Sequence, residues 1–197
     1  IFNNNSGKFT EIGFYSGLNF SSFDYGDYDN DGDTDLFIQG MNYAYVHANS
    51  SGVFTNVGNC GIIQGLMDGT VDCCDYDKDG DTDVLMTGYN GSYYSNVYRN
   101  DSGVFTNINA GLTGVRYGSA DWGDYDIDGD MDILLTGYNS TSPNYYSKIY
   151  RNDSGIFTDI GAAITGVYYS STVWGDYNND GYLDVFLCGY TGTENIA

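Results

Sequence analysis

Positive charge is scarce in this sequence: 6 Lys+Arg stand against 27 Asp+Glu in 197 residues, a formal charge of −21. Such a surface repels phosphate backbones and anionic lipid heads, which argues against nucleic acid and membrane surfaces as partners. No run of about 18 apolar residues occurs, so no transmembrane helix is expected. The single histidine, His47, leaves a nucleophile–histidine triad without a supporting motif, and there is no glycine-rich phosphate loop. The four cysteines (Cys60, Cys73, Cys74, Cys188) contain no C-x-x-C and so fit no zinc site. Disulfides are expected ahead of free thiols, with three pairings open. There is one proline, Pro143, and neither an initiator Met nor a signal peptide. The chain opens mid-pattern at Ile1-Phe2, which reads as a processed product or part of something longer.

What is abundant is glycine (28), tyrosine (21) and aspartate, with 17 % aromatic residues. That composition argues against disorder and for many short strands joined by tight turns. A chain of this length suits one domain that buries roughly 70 % of the surface its unfolded form exposes.

Self-similarity organises the rest. GDYDNDGDTDLFIQG at Gly26 recurs as CDYDKDGDTDVLMTG from Cys74, GDYDIDGDMDILLTG from Gly123 and GDYNNDGYLDVFLCG from Gly175. A second signature, N-x-S-G-x-F-T, starts at Asn4, Asn49, Asn100 and Asn152. Glycines recur ten residues before each acidic loop (Gly17, Gly65, Gly114, Gly166) and five after it (Gly40, Gly88, Gly137, Gly189). Each copy reads as four short strands, exemplified by 119–122, 132–135, 146–151 and 156–160, and nothing has a sustained helical period. Repeated four-stranded units of about 50 residues predict an all-β, four-bladed β-propeller over residues 1–197.

The first aspartates of the loops, Asp27, Asp75, Asp124 and Asp176, are spaced by 48, 49 and 52 residues, and the wrap from Asp176 through Ala197 and Ile1 to Asp27 takes 48 more. The third strand of the last blade is therefore cut between the two ends. Either the ring closes on itself with Ile1-Phe2, or the next copy in a longer array completes the strand; both cover an otherwise open edge.

The acidic loops place carboxylates at positions 1, 3 and 5 (Asn178 at position 3 of the fourth), glycine at 6 and Asp at 9, an oxygen-only set that selects a hard cation. The number of carboxylates favours Ca²⁺ over Mg²⁺, and about one ion per repeat is expected. The expected ligands are Asp27, Asp29, Asp31, Asp33 and Asp35 in loop 27–35, and Asp75, Asp77, Asp79, Asp81 and Asp83 in loop 75–83. Loop 124–132 supplies Asp124, Asp126, Asp128, Asp130 and Asp132; loop 176–184 supplies Asp176, Asn178, Asp180, Tyr182 and Asp184. Tyr182 suggests that position 7 contributes its backbone carbonyl, and Asn178 removes a charge, so the fourth loop is expected to bind most weakly. An EF-hand is excluded, because position 12 is apolar (Ile38, Met86, Leu135, Leu187) where that motif needs a bidentate Glu.

D-x-D-x-D-G-x-x-D between strands, with a downstream G-x-F strand, resembles the FG-GAP/VCBS repeat of integrin α-subunit propellers and many secreted proteins. The resemblance covers essentially the whole chain. It implies a β-propeller with one calcium per blade on one face, although integrin-type propellers have seven blades and this chain holds four copies.

N-x-S/T occurs at Asn4, Asn19, Asn49, Asn90, Asn100, Asn139 and Asn152, and these are candidate N-glycosylation sites in an extracellular setting. Tyr28, Tyr76, Tyr125 and Tyr177, with Trp122 and Trp174, recur in register and read as packing between blades. Arg99 and Arg151 are expected to pair with nearby acids, and His47 to be a strand residue. Calcium accounts for the paired carboxylates, so no enzyme is read here. The expected function is an extracellular, calcium-stabilised structural or adhesive module. A sharper version joins copies head to tail as a fibre; the alternative is a carbohydrate-binding propeller.

Overall fold

The computed structural model describes residues 1–11, 13, 19–41, 43–62 and 65–197. Among these the chain is all-β, with strands and turns and no helix. After a short hairpin of β1 (Phe2–Asn5) and β2 (Lys8–Glu11), the first blade runs β3 (Ser22–Gly26), β4 (Asp35–Gly40), β5 (Tyr43–Ser50), β6 (Val53–Gly58). The second is β7 (Val71–Cys74), β8 (Asp83–Tyr89), β9 (Tyr93–Asp101), β10 (Val104–Asn107). The third is β11 (Ala120–Gly123), β12 (Asp132–Tyr138), β13 (Tyr145–Asp153), β14 (Ile156–Asp159). The fourth holds only β15 (Tyr168–Gly175), β16 (Asp184–Tyr190) and β17 (Asn195–Ile196).

Each sheet is an antiparallel meander in chain order. The second strand is buried on both faces, which is why it reads as a continuous apolar run such as Ile133-Leu134-Leu135, each fully buried. The turn between third and fourth strands has both central residues at positive φ, as in Ser102 (51°) and Gly103 (88°). That is the type I′ geometry whose twist matches the flanking strands.

Blades stack first strand to first strand in the order β3, β7, β11, β15. One apolar cluster joins blades 1 and 2 through Phe37, Val46, Val71, Val84 and Met86, and a second joins blades 2 and 3 through Leu85, Val97, Trp122, Ile133 and Leu135. The recurring glycine before each acidic loop is explained here: a Cβ on Gly114 or Gly166 would collide with the carbonyl oxygen of Tyr93 or Tyr145 in the preceding blade. Gly17 lies outside the described residues.

Two expectations change. The last blade is not closed by Ile1-Phe2: β1 pairs only with β2, β17 pairs only with β16, and no comparable packing joins β15 to β3 among the described residues. The arrangement is three complete blades, a three-stranded fourth and a separate two-stranded hairpin. All four cysteines are free thiols, so the expected disulfides are absent.

Candidate metal centre

The acidic loops connect the first and second strand of each blade, and their backbone curls around the first aspartate. In the first loop Asp27 Oδ1 accepts the N–H of Asp31 (3.2 Å) and Oδ2 that of Gly32 (2.9 Å); Gly129 and Gly181 repeat the second bond to Asp124 and Asp176 (3.0 and 2.9 Å). The glycine at position 6 has φ between 88° and 97° in all four loops, a region L-residues resist.

Three loops bring carboxylates together. Asp27, Asp29 and Asp35 each place an oxygen within 4.8 Å of the others, as do Asp75, Asp77 and Asp83, and Asp124, Asp126 and Asp132. The convergent positions are 1, 3 and 9. Position 5 turns inward on its own loop, as where Asp79 accepts the Asp81 N–H (2.8 Å). Position 7 faces the turn between third and fourth strands: Asp33, Asp81 and Asp130 accept the N–H of Ser51, Ser102 and Ser154 at 2.7–2.8 Å. In the fourth loop Asn178 and Tyr182 take positions 3 and 7, leaving two carboxylates, Asp176 and Asp184, at the convergent positions.

The position-9 aspartate is the buried member, with Asp35 at 1 %, and Asp83 and Asp132 at 0 % exposure. Its Oδ2 accepts the N–H of the position-2 tyrosine (Tyr28, Tyr76, Tyr125; 2.8–3.1 Å), and its Oδ1 that of Asn49, Asn100 or Asn152 (2.7 Å each). Even with those donors, burial pushes the carboxyl of Asp83 up to about 7 and that of Asp132 to about 6. Asp75 Oδ1 is buried with no hydrogen-bond partner. Oxygen donors held close, one of them orphaned, fit a hard divalent cation.

The loops also touch across blades, through the expected Tyr–Trp packing and through polar pairs besides. Asn30 at position 4 donates to Asp81 at position 7 of the next blade, and Lys78 likewise reaches Asp130 at 3.3 Å. Position 2 stacks on the residue two before the next loop: Tyr76 on Trp122 (5.7 Å, 6°) and Tyr125 on Trp174 (6.0 Å, 7°). Three residues before the loop, Asp24, Asp72 and Asp121 accept the N–H of Cys73, Trp122 and Trp174 in the following blade (2.7, 3.2 and 2.8 Å). The signal for this ladder was the repeated Asp at that position; its fourth member is Val173.

A model of the FG-GAP-like repeat matches residues 27–86, 75–135 and 124–187. The chain belongs to the FG-GAP-like repeat family. The three matches each run from one acidic loop to the second strand of the next blade, so they overlap on the loops themselves. No curated protein shows significant similarity to the chain.

The other sequence-selected residues of this FG-GAP-like chain fall as follows. Arg99 and Arg151 pair with Asp101 and Asp153 (2.8 Å each), and His47 is a buried β5 residue. Among the sequons, Asn4, Asn19 and Asn90 are exposed. Asn100 and Asn152 are buried (0 and 1 % exposed), and their Nδ2 atoms donate to the carbonyls of Thr82 and Met131, both at 3.1 Å. The folded chain does not offer those two nitrogens for attachment; the recurrence of N-x-S there is accounted for by an Asx turn in which Oδ1 accepts the Gly103 or Gly155 N–H (2.7 Å). Asn49 makes the same turn, and Asn139 Nδ2 donates to Gly114 O (2.6 Å).

Proposed function

We propose that this chain is a non-catalytic, calcium-stabilised propeller-type module that works outside the cell in a structural or adhesive role, with copies joined head to tail. The observation that carries the calcium reading is the same triad of converging aspartates at loop positions 1, 3 and 9 in three successive blades. Repeating an oxygen-only cluster against net negative charge costs stability unless a cation neutralises it. Asp27, Asp29 and Asp35 and their equivalents would hold Ca²⁺, which supplies the missing positive charge and ties the loop to the buried end of the second strand. Exposed sequons at Asn19 and Asn90 suit an extracellular glycoprotein. Calorimetric titration of the metal-free chain with CaCl₂ tests the reading: three or more ions per chain support it, and absence of binding at millimolar calcium overturns it.

A second reading, carbohydrate binding, is favoured by one surface. At the opposite ends of the second strands, Tyr89, Tyr93, Tyr138, Tyr145, Tyr168 and Tyr190 form a chain of ring contacts across blades 2 to 4. The Arg116 guanidinium lies 4.8 Å from the Tyr89 ring centre and 4.5 Å from that of Tyr117. A glycan array probed in calcium with no hit removes this reading.

A further inference from the structure

The geometry points to a heterologous interface in which the fourth blade of one copy docks on the first blade of a second copy, whose Asn4 completes the fourth acidic loop. The inference deepens the head-to-tail reading above and rests on the loops being cation sites.

Every internal junction mates the same two faces, and among the described residues one of each is left uncovered. On blade 4, Phe186 is 48 % exposed, whereas its equivalents Phe37, Leu85 and Leu134 are at 2 % or less. On blade 1, Phe23 and Tyr25 are 71 and 67 % exposed, whereas Val71 and Ala120, equivalent to Phe23, are buried. The blade 1 face carries an open apolar groove of about 550 Å³ lined by Phe23, Tyr25, Leu36, Ile38 and the hairpin residues Ile1 and Phe2.

The loop-level contacts of the internal junctions continue across these two faces. Tyr177 (70 % exposed) stands where Tyr76 and Tyr125 stand, and Tyr25 stands where their stacking partners Trp122 and Trp174 stand. Asn179 repeats Asn30, at positive φ (59° and 58°), and Asp33 repeats Asp81, so the Asn30–Asp81 pair recurs as Asn179 with the second copy's Asp33. At the third junction the same two positions are Ile127 and Tyr182, so the polar pair is not repeated there. Val173 replaces the carboxylate of the Asp24–Asp72–Asp121 ladder, so this face exposes no ladder charge to be desolvated on docking.

The hairpin supplies what blade 4 lacks. Asp184 Oδ2 accepts the Tyr177 N–H (3.1 Å) as in the other blades, but among the described residues its Oδ1 has no donor. In the sister blades that donor is the Asn49, Asn100 or Asn152 backbone, whose Nδ2 also reaches the carbonyl at loop position 8. Asn4 already sits in the same turn, with Oδ1 accepting the Gly7 N–H (2.9 Å) and with Ser6 and Gly7 at φ 54° and 87°. Docked, its N–H reaches Asp184 Oδ1 and its Nδ2 the Leu183 carbonyl. A sugar on Asn4 would occupy the same nitrogen, so glycosylation there and docking exclude each other. The separation of β1–β2 from β15–β17 within one chain favours a second copy over closure on itself.

Phe186→Asp and Phe23→Asp, each checked for native circular dichroism, test the interface by light scattering in saturating calcium. The wild-type chain is expected to self-associate with concentration, each variant alone to weaken association at least about tenfold, and their 1:1 mixture to form a dimer through the one intact pair of faces. Asn4→Ala, which removes the Nδ2 donor and the turn that presents the backbone N–H, is expected to lower bound calcium in the assembled state from four ions per chain to three while the other three persist. A wild type that stays monomeric at all concentrations, or a mixture that forms no dimer, overturns the interface even if calcium binds. Association without any bound calcium overturns the cation reading and the trans-completed site together, and leaves the apolar docking standing.

Discussion

Blades 3 and 4 share one loop frame in two different environments. GDYDIDGDMDILL and GDYNNDGYLDVFL fold into loops with the same curl, and Gly129 and Gly181 have φ of 94° and 91°. Yet Asp132 is fully buried and clamped by two backbone donors, while Asp184 is half-exposed with one. Leu134 is sealed under blade 4, whereas Phe186, its counterpart, faces solvent. The loop's shape is therefore local, but its burial and its hold on the second strand come from the neighbouring blade and from the turn after the third strand.

The largest effect that tests this contrast is calcium removal. At free calcium ten times Kd each site contributes about 1.4 kcal/mol, so three sites give about 4, and chelation is expected to lower Tm by roughly 10 °C in calorimetry. Asp132→Asn is expected to remove most of one site's share, and Asp184→Asn little in the dilute single chain. Next in size, Leu134→Ala is expected to cost about 3 kcal/mol and Phe186→Ala under about 1 in urea unfolding, because only the first opens a cavity. Equal costs would mean that blade 4 is covered in the isolated chain.

The inner ladder gives a smaller, pH-dependent difference. Burial, then the neighbouring Asp121 and Asp24, push the Asp72 carboxyl up to about 7. The folded chain thus keeps a proton that the unfolded chain releases near its ordinary pKa of about 4, so stability falls as pH rises from about 4 to about 7. In saturating calcium, Asp72→Asn is expected to flatten that slope, measured by urea unfolding at pH 5 and 8. Val173→Asp, at the same repeat position, should add no slope in the single chain, because no blade covers it. The smallest effects are expected from Arg99→Ala and Arg151→Ala, each within about 0.5 kcal/mol, since both pairs are solvent-exposed.

Much of this was legible in the residues. The recurrence of the loop and of N-x-S-G-x-F-T located every blade, and strands predicted at 132–135 and 156–160 are observed at Asp132–Tyr138 and Ile156–Asp159. Spacing marked five loop positions; the structure adds that the carboxylates of positions 1, 3 and 9 converge, while position 7, read as a backbone-carbonyl donor, turns its carboxylate to the Ser51, Ser102 and Ser154 backbone. The N-x-S motif was ambiguous. The same Asn that could carry a sugar builds a turn, and only burial separates the two uses at Asn100 and Asn152.

By itself the sequence determined the period, the strand pattern and the local curl of each acidic loop, since glycine at positive φ and self-capping aspartates act within a few residues. The tertiary structure decided which carboxylates lie buried and which faces are left open. Those depend on side chains brought from about 50 residues away by stacking, as Trp122 is brought to Asp72 (3.2 Å). A repeat specifies its own shape; its burial is set by the blade beside it.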